Sequence, residues 1–256
     1  MLHRETDGTG ARLVLVHGFS QTARCWGGVA TDLARDHEVV RVDAPGHGRS
    51  GPALRLWDSA ERLGDAGGSG TYVGYSMGGR LCLHLALARP ALVQALVLIG
   101  ATAGIDDPDE RAGRAARDEE RARSLEALGL EAFLQAWLAQ PLFAGLPPEA
   151  TCLDARRENT VAGLAASLRL SGTGAQEPLG ARLGAVDVPV LVVAGARDGR
   201  FVDIGRRLVS SIGTNAELAV VAGAGHAAHL EAPAAFLALL RSWLRRHRRT
   251  GGSATG

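Results

Sequence analysis

Lysine is absent from this chain: all 28 of its basic residues are arginine. That excludes a Schiff-base lysine, a pyridoxal-phosphate anchor and the lysine of a phosphate-binding P-loop. Cationic contacts fall to arginine, whose planar fork suits carboxylates better than a point charge does. Cysteine is scarce. Cys25, Cys82 and Cys152 are widely spaced and odd in number, and no C-x-x-C occurs. Neither a disulfide framework nor a zinc site is indicated, and a reducing, cytoplasmic setting fits. No run approaches the roughly 18 apolar residues that a membrane span requires. A net charge of +1 gives no reason to invoke nucleic acid.

What is present is a chain of 256 residues, 46% hydrophobic, enough for one sizeable α/β core with an insertion. Residues 1–10 are polar and suit a short edge strand. Short apolar strands are expected at 12–17, 38–43, 71–75, 92–99, 189–194 and 216–221. Helical spacing separates them at 26–35, 54–63, 77–88, 201–212 and 233–246. Strands and helices alternating at this interval imply βαβ units and a mostly parallel, doubly wound sheet. The rhythm breaks after Gly104. Helical patterns at 109–123, 131–139 and 160–170, punctuated by Pro141, Pro147, Pro148 and Gly172-Thr173-Gly174, read as a helical cap over 104–180. The sheet domain is then 1–103 with 181–249, and 250–256 reads as a frayed, disordered tail.

One stretch organises the chemistry. Gly74-Tyr75-Ser76-Met77-Gly78 fits the nucleophile elbow G-x-S-x-G, in which a serine occupies a sharp strand-to-helix turn. Larger residues two positions to either side would collide. The turn aims the hydroxyl at the N-terminus of the next helix, where unpaired N–H groups favour developing negative charge. A serine needs a base, and the base needs an orienting acid. His226 lies in a glycine-rich loop after the last strand, where ligands and catalytic groups collect in open α/β sheets. His84 would lie on the elbow helix, His247 in a basic tail, and His229 reads as structural. Asp198 follows a strand end, whereas Asp203 falls inside the next helix and Asp187 precedes the strand. Ser76, Asp198 and His226 are therefore the candidate triad. The backbone N–H groups of Met77 and of Phe19, in the loop after the first core strand, are the candidate oxyanion hole.

These segments resemble the α/β-hydrolase superfamily along the whole chain. More narrowly, the chain resembles the 2-succinyl-6-hydroxy-2,4-cyclohexadiene-1-carboxylate synthases of menaquinone biosynthesis. The shared segments include His17-Gly18-Phe19-Ser20, Asp43-Ala44-Pro45-Gly46-His47-Gly48, Gly78-Gly79-Arg80, the cap segments around residues 111–118, 137–143 and 167–176, and Gly225-His226-Ala227-Ala228-His229-Leu230-Glu231. Gln21 and Ala227 stand where that family often has Gly and Asn. The resemblance implies a lyase that eliminates pyruvate from a small polycarboxylate substrate without metal or cofactor, its serine acting as a base. It also implies substrate contacts at Arg80, Arg114 and Arg156, the last with Arg157 as an adjoining alternative, and pocket walls at Tyr75 and Trp137. The competing reading is a carboxylesterase or C–C bond hydrolase that uses the same triad with Ser76 acylated. Oligomeric state is left open.

Overall fold

The computed structural model describes residues 1–247; the expected frayed tail at 250–256 lies outside them. The elements run β1 Arg4–Asp7, β2 Ala11–Val16, α1 Gly27–Leu33, β3 His37–Val42, α2 Leu56–Gly67, β4 Gly70–Tyr75, α3 Met77–Ala88 and β5 Val93–Ile99. There follow α4 Pro108–Leu138, α5 Leu153–Arg156, α6 Val161–Ser171, β6 Val190–Gly195, α7 Gly199–Ile212, β7 Ala216–Val221, α8 Ala228–Glu231 and α9 Pro233–Arg246. The sheet has seven strands in the order β1-β3-β2-β4-β5-β6-β7. Among the described residues only the β1–β3 pair is antiparallel.

The central strands are apolar on both faces because helices cover both. Every residue of β4 and β6 is buried. One core cluster joins Val14, Leu96 and Leu98 to Leu81, Leu85 and Leu63 of α3 and α2. On the other face Leu15, Val73 and Val97 meet Trp26, Phe236 and Trp243. Leu83 is fully buried; truncating such a leucine to alanine costs about 2–5 kcal/mol. This core holds the strand ends rigid, and the candidate site stands on them.

The helix expected at 26–35 is α1, Gly27–Leu33; a 3-10 turn, Ala23–Trp26, leads into it, and Gly27 at its start takes φ 40°. The helices expected at 109–123 and 131–139 are the two arms of α4, which meet at a non-helical Gly129 (φ 80°, ψ 171°). Asp107 caps α4, accepting from the Glu110 N–H at 2.7 Å, and Thr160 caps α6. These two helices pack on each other through Ala122, Leu125, Phe133 and Leu134 against Leu164, Ala165 and Leu168. They form a small core of their own between β5 and β6 in sequence.

Candidate active site

β4 ends at Tyr75 and α3 starts at Met77, so Ser76 must turn the chain in one residue. It does so at φ 51°, a conformation that non-glycine residues rarely keep, and its N–H donates to the Ile99 carbonyl at 2.8 Å. The flanking glycines are steric necessities. A Cβ on Gly74 would lie 2.5 Å from the Gly78 carbonyl oxygen, and one on Gly78 would lie 2.1 Å from the Val16 oxygen.

The partners arrive from two further strand ends. Asp198 follows β6 and caps α7, one oxygen accepting from the Phe201 N–H at 3.3 Å. Its other oxygen is 3.0 Å from His226 Nδ1, and His226 Nε2 is 3.4 Å from Ser76 Oγ. An ionised carboxylate only accepts, so Nδ1 carries the proton and the Nε2 lone pair faces the serine. Gly100 (φ 54°) leaves room for the imidazole: a Cβ there would lie 2.9 Å from His226 Cε1. Glu231 steadies the histidine from below. Its carboxylate accepts from the Gly225 N–H at 2.7 Å and the Ala227 N–H at 3.0 Å, on either side of His226. Asp203 is not near: it is exposed and pairs with Arg206.

Met77 opens α3, so its N–H is among the helix's orphan donors. The Phe19 N–H is likewise without a partner among the described residues. The Phe19 loop is pinned from several sides. Gln21 Oε1 accepts from the Gly18 N–H at 3.0 Å. His17 Nδ1 donates to the Gly18 carbonyl, and its Nε2 accepts from the Ala44 N–H at 3.0 Å. Burial holds His17 down to about 4, so it stays neutral at pH 7 and keeps that acceptor.

A cavity opens above Ser76, bordered by His226, Phe19, Met77 and Tyr75 from the sheet side and by Trp137 and Phe143 from the inserted helices. Arg80, Arg114 and Arg156 border it too. Arg80, one helical turn after Ser76, is buried and donates from Nη1 to the Ser171 carbonyl at 2.8 Å and to Gln176 Oε1 at 3.4 Å. Arg156 is 1% exposed and donates to the Thr151 carbonyl at 2.7 Å and to Ser20 Oγ. These acceptors are all neutral, and neither guanidinium has an ion-pair partner among the described residues. Burial, then the charge of Arg114, lowers Arg80 to about 10. It therefore stays protonated at pH 7 in a site with an excess of positive charge. Arg114 differs: Asp118 accepts from its Nε at 2.9 Å and from Arg121 at 3.1 Å. Arg157 points away to Glu131 and Asp154, so Arg156 is the arginine at the cavity.

The cavity thus gathers nine of the ten residues singled out in the sequence, with Asp198 behind His226. His229 is buried with its ring 4.7 Å from Trp26 and 4.6 Å from Tyr75. Glu231, Gln176, Ser20 and Asn159 were not singled out as site residues. Glu231 and Gln176 lie inside segments that carry the family resemblance, which was the available signal. Asn159 had none.

The model of the alpha/beta hydrolase family matches residues 13–239. The chain belongs to the α/β-hydrolase family. Among its relatives, a protein of Bacillus subtilis named as a putative 2-succinyl-6-hydroxy-2,4-cyclohexadiene-1-carboxylate synthase is 31% identical, over 91% of this chain and 89% of that one. A synthase of the same name from an Enterobacter species is 36% identical over 91% of both chains. The solved structure of MenH from S. aureus superposes with a TM-score of 0.88 at 27% identity, covering 96% of this chain and 99% of that one. A thermophilic esterase from Thermogutta terrifontis, 23% identical with a TM-score of 0.79, shares the fold. Among the described residues no helix is long and apolar enough to cross a membrane, and no group of three or more metal-ligating side chains converges.

Proposed function

We propose that this α/β-hydrolase is a lyase, a 2-succinyl-6-hydroxy-2,4-cyclohexadiene-1-carboxylate synthase. It eliminates pyruvate from 2-succinyl-5-enolpyruvyl-6-hydroxy-3-cyclohexene-1-carboxylate. The observation that carries the proposal is the pair of buried arginines, Arg80 and Arg156, both without a carboxylate and both bordering the cavity over Ser76. Keeping unpaired charge out of water is costly. A substrate bearing several carboxylates supplies the missing partners, in forked, charge-assisted contacts. Arg114 adds a third cation at the rim, and Tyr75 and Trp137 wall the ring. The relatives' names point the same way.

In this reading residues 104–180 are a cap over a sheet domain, and Ser76 is a base. His226 takes the Ser76 proton, oriented and stabilised by Asp198. Ser76 Oγ then removes the ring proton beside the succinyl ketone. The electron pair shifts the ring double bond, the carbon–oxygen bond to the enolpyruvyl group breaks, and the released enolate takes up a proton to become pyruvate. Negative charge develops meanwhile on the ketone oxygen, where the N–H groups of Phe19 and Met77 receive it. Atoms and electrons balance without a cofactor. The three cysteines are free, which fits a reducing, cytoplasmic compartment.

The direct test is release of pyruvate from the synthesised precursor by purified protein. Release at a rate set by enzyme concentration supports the proposal. Hydrolysis of neutral esters with no pyruvate release would replace it with the esterase reading, in which Ser76 is acylated.

A further inference from the structure

The residue that follows Phe19 is gripped at its N–H, its side chain and its carbonyl at once. Ser20 is fully buried and sits at φ 64°, a left-handed conformation that a serine keeps only where its surroundings fix it. Its N–H donates to His47 Nε2 at 3.3 Å. Burial lowers His47 to about 3, so the ring is neutral and Nε2 remains an acceptor, with Nδ1 donating to the Pro45 carbonyl. Its Oγ accepts from Arg156. Its carbonyl accepts from Asn159 Nδ2 at 2.9 Å.

Asn159 is itself 4% exposed and fully engaged. Nδ2 also donates to the Arg156 carbonyl at 2.8 Å, and Oδ1 accepts from the Gly48 N–H at 2.9 Å. One amide therefore ties three segments together: the Phe19–Ser20 loop, the loop after β3, and the chain just beyond α5. Two of the three side chains that grip Ser20 belong to the cap, and one of these, Arg156, also borders the substrate cavity.

We propose that Asn159 is a positioning residue that sets the oxyanion hole from the cap. By fixing the Ser20 carbonyl it fixes the Ser20–Gln21 peptide; with the Ser20 N–H held by His47, this locks Ser20 in its left-handed conformation and so restrains the Phe19 backbone that precedes it, and with it the Phe19 N–H. The hole is then competent only while the cap segment after α5 is seated. This rests on the reading of the Phe19 N–H as an oxyanion donor; it does not depend on which substrate the enzyme uses.

The test uses diethyl para-nitrophenyl phosphate, whose phosphoryl oxygen must enter the hole as Ser76 Oγ bonds to phosphorus and nitrophenolate leaves. The coloured burst gives the maximal rate constant and the half-saturating concentration separately, and mass spectrometry locates the adduct. Asn159→Ala removes every contact. Asn159→Asp keeps the acceptor for the Gly48 N–H but turns a carboxylate oxygen towards the Ser20 carbonyl. Both variants should lose about tenfold to a hundredfold in the maximal rate constant, the effect of a displaced rather than deleted donor, with half-saturation nearly unchanged. A merely structural asparagine would lower thermal stability without this split. If Asn159→Ala fails to fold, Asn159→Asp decides. A cooperatively melting Asn159→Asp protein phosphorylated at the wild-type rate would overturn the proposal while leaving the site reading intact. Wild-type protein that is never phosphorylated at Ser76 would overturn both.

Discussion

Ser76, Asp198 and His226 stand on loops at the C-terminal ends of β4, β6 and β7, whereas Arg114 and Arg156 stand on inserted helices that no strand anchors. The first group is placed by backbone. Ser76 is forced to its position by a turn with room only for glycine on either side, Asp198 is a helix cap, and His226 is bracketed by two N–H bonds to Glu231. The second group is placed by side-chain reach: Arg114 by Asp118, and Arg156 by the Thr151 carbonyl and Ser20. Arg80 belongs to both, with a sheet-side backbone and hydrogen-bond partners, Ser171 and Gln176, in the inserted segment between β5 and β6. On the proposed function the difference separates two tasks. Chemistry needs reacting atoms fixed to fractions of an ångström, while recognition of a carboxylate tolerates a longer, adjustable arm.

The comparison breaks most sharply at Ser76. Ser76→Ala leaves the turn intact and should lower turnover by at least about 10³, measured as pyruvate release, with an unaltered melting curve. A variant keeping more than about a tenth of wild-type kcat would show that the reactive group lies elsewhere, since triad losses are far larger. Asp198→Asn tests the same half one step back. It should cost about 10²–10⁴ in kcat, because an asparagine can donate to Nδ1 and strand the imidazole in the wrong tautomer. Equal damage from Asp203→Asn would contradict the geometry, which pairs Asp203 with Arg206 at the surface.

The two halves also differed in how far the sequence revealed them. The candidate triad was legible because its constraints are local. G-x-S-x-G, a carboxylate just past β6 and a histidine after β7 are all written in spacing and strand order. Six of the seven strands were legible for the same reason, as apolar runs between turn signals, while β1, Arg4–Asp7, is polar and could be expected only as an edge strand. The inserted helices' share of the candidate site was not legible. Arg114 and Arg156 came from resemblance alone, since nothing in a run of arginines and acids shows which one faces a cavity. Five arginines fall between 111 and 123. Only three-dimensional packing separates Arg114 from Arg123, which merely pairs with Glu119. Asn159 is the extreme case: its three partners lie 139, 111 and 3 residues away, and no local pattern encodes them.

Arg80 sharpens the comparison because it bridges the halves. A bidentate arginine–carboxylate contact contributes about 1.5–3 kcal/mol. Arg80→Ala should therefore lower kcat/KM for the polycarboxylate by roughly 10–150-fold. Hydrolysis of a neutral nitrophenyl ester should stay nearly unchanged, and Arg80→Lys should fall between. The measurement is the ratio of the two activities in the variant against wild type. An unchanged ratio would remove the main support for an anionic substrate and favour the esterase reading.

The smallest effect is expected at Gly129, and it contrasts two kinds of glycine. Gly74 and Gly78 in the elbow are there because a side chain would strike backbone atoms. Gly129 has open space around it: a Cβ there would meet nothing within 4 Å. What demands glycine is the conformation, φ 80° with ψ 171°, a region that L side chains avoid. The bend it makes separates the charged first part of α4 from the part that presents Phe133 and Trp137, whose rings meet Phe19. Gly129→Ala should cost about 1–3 kcal/mol of stability through strain alone, with kcat lowered by less than Arg80→Ala lowers kcat/KM. Gly78→Ala, of the same size on paper, should abolish folding or activity, because its new methyl would meet the Val16 carbonyl. A thermal melt of both variants, with pyruvate release on whatever remains folded, separates the cases. If Gly129→Ala proved as damaging as Gly78→Ala, the inserted helices would have to be as rigidly specified as the sheet edge, and the contrast between a candidate triad placed by backbone and arginines placed by side-chain reach would fail.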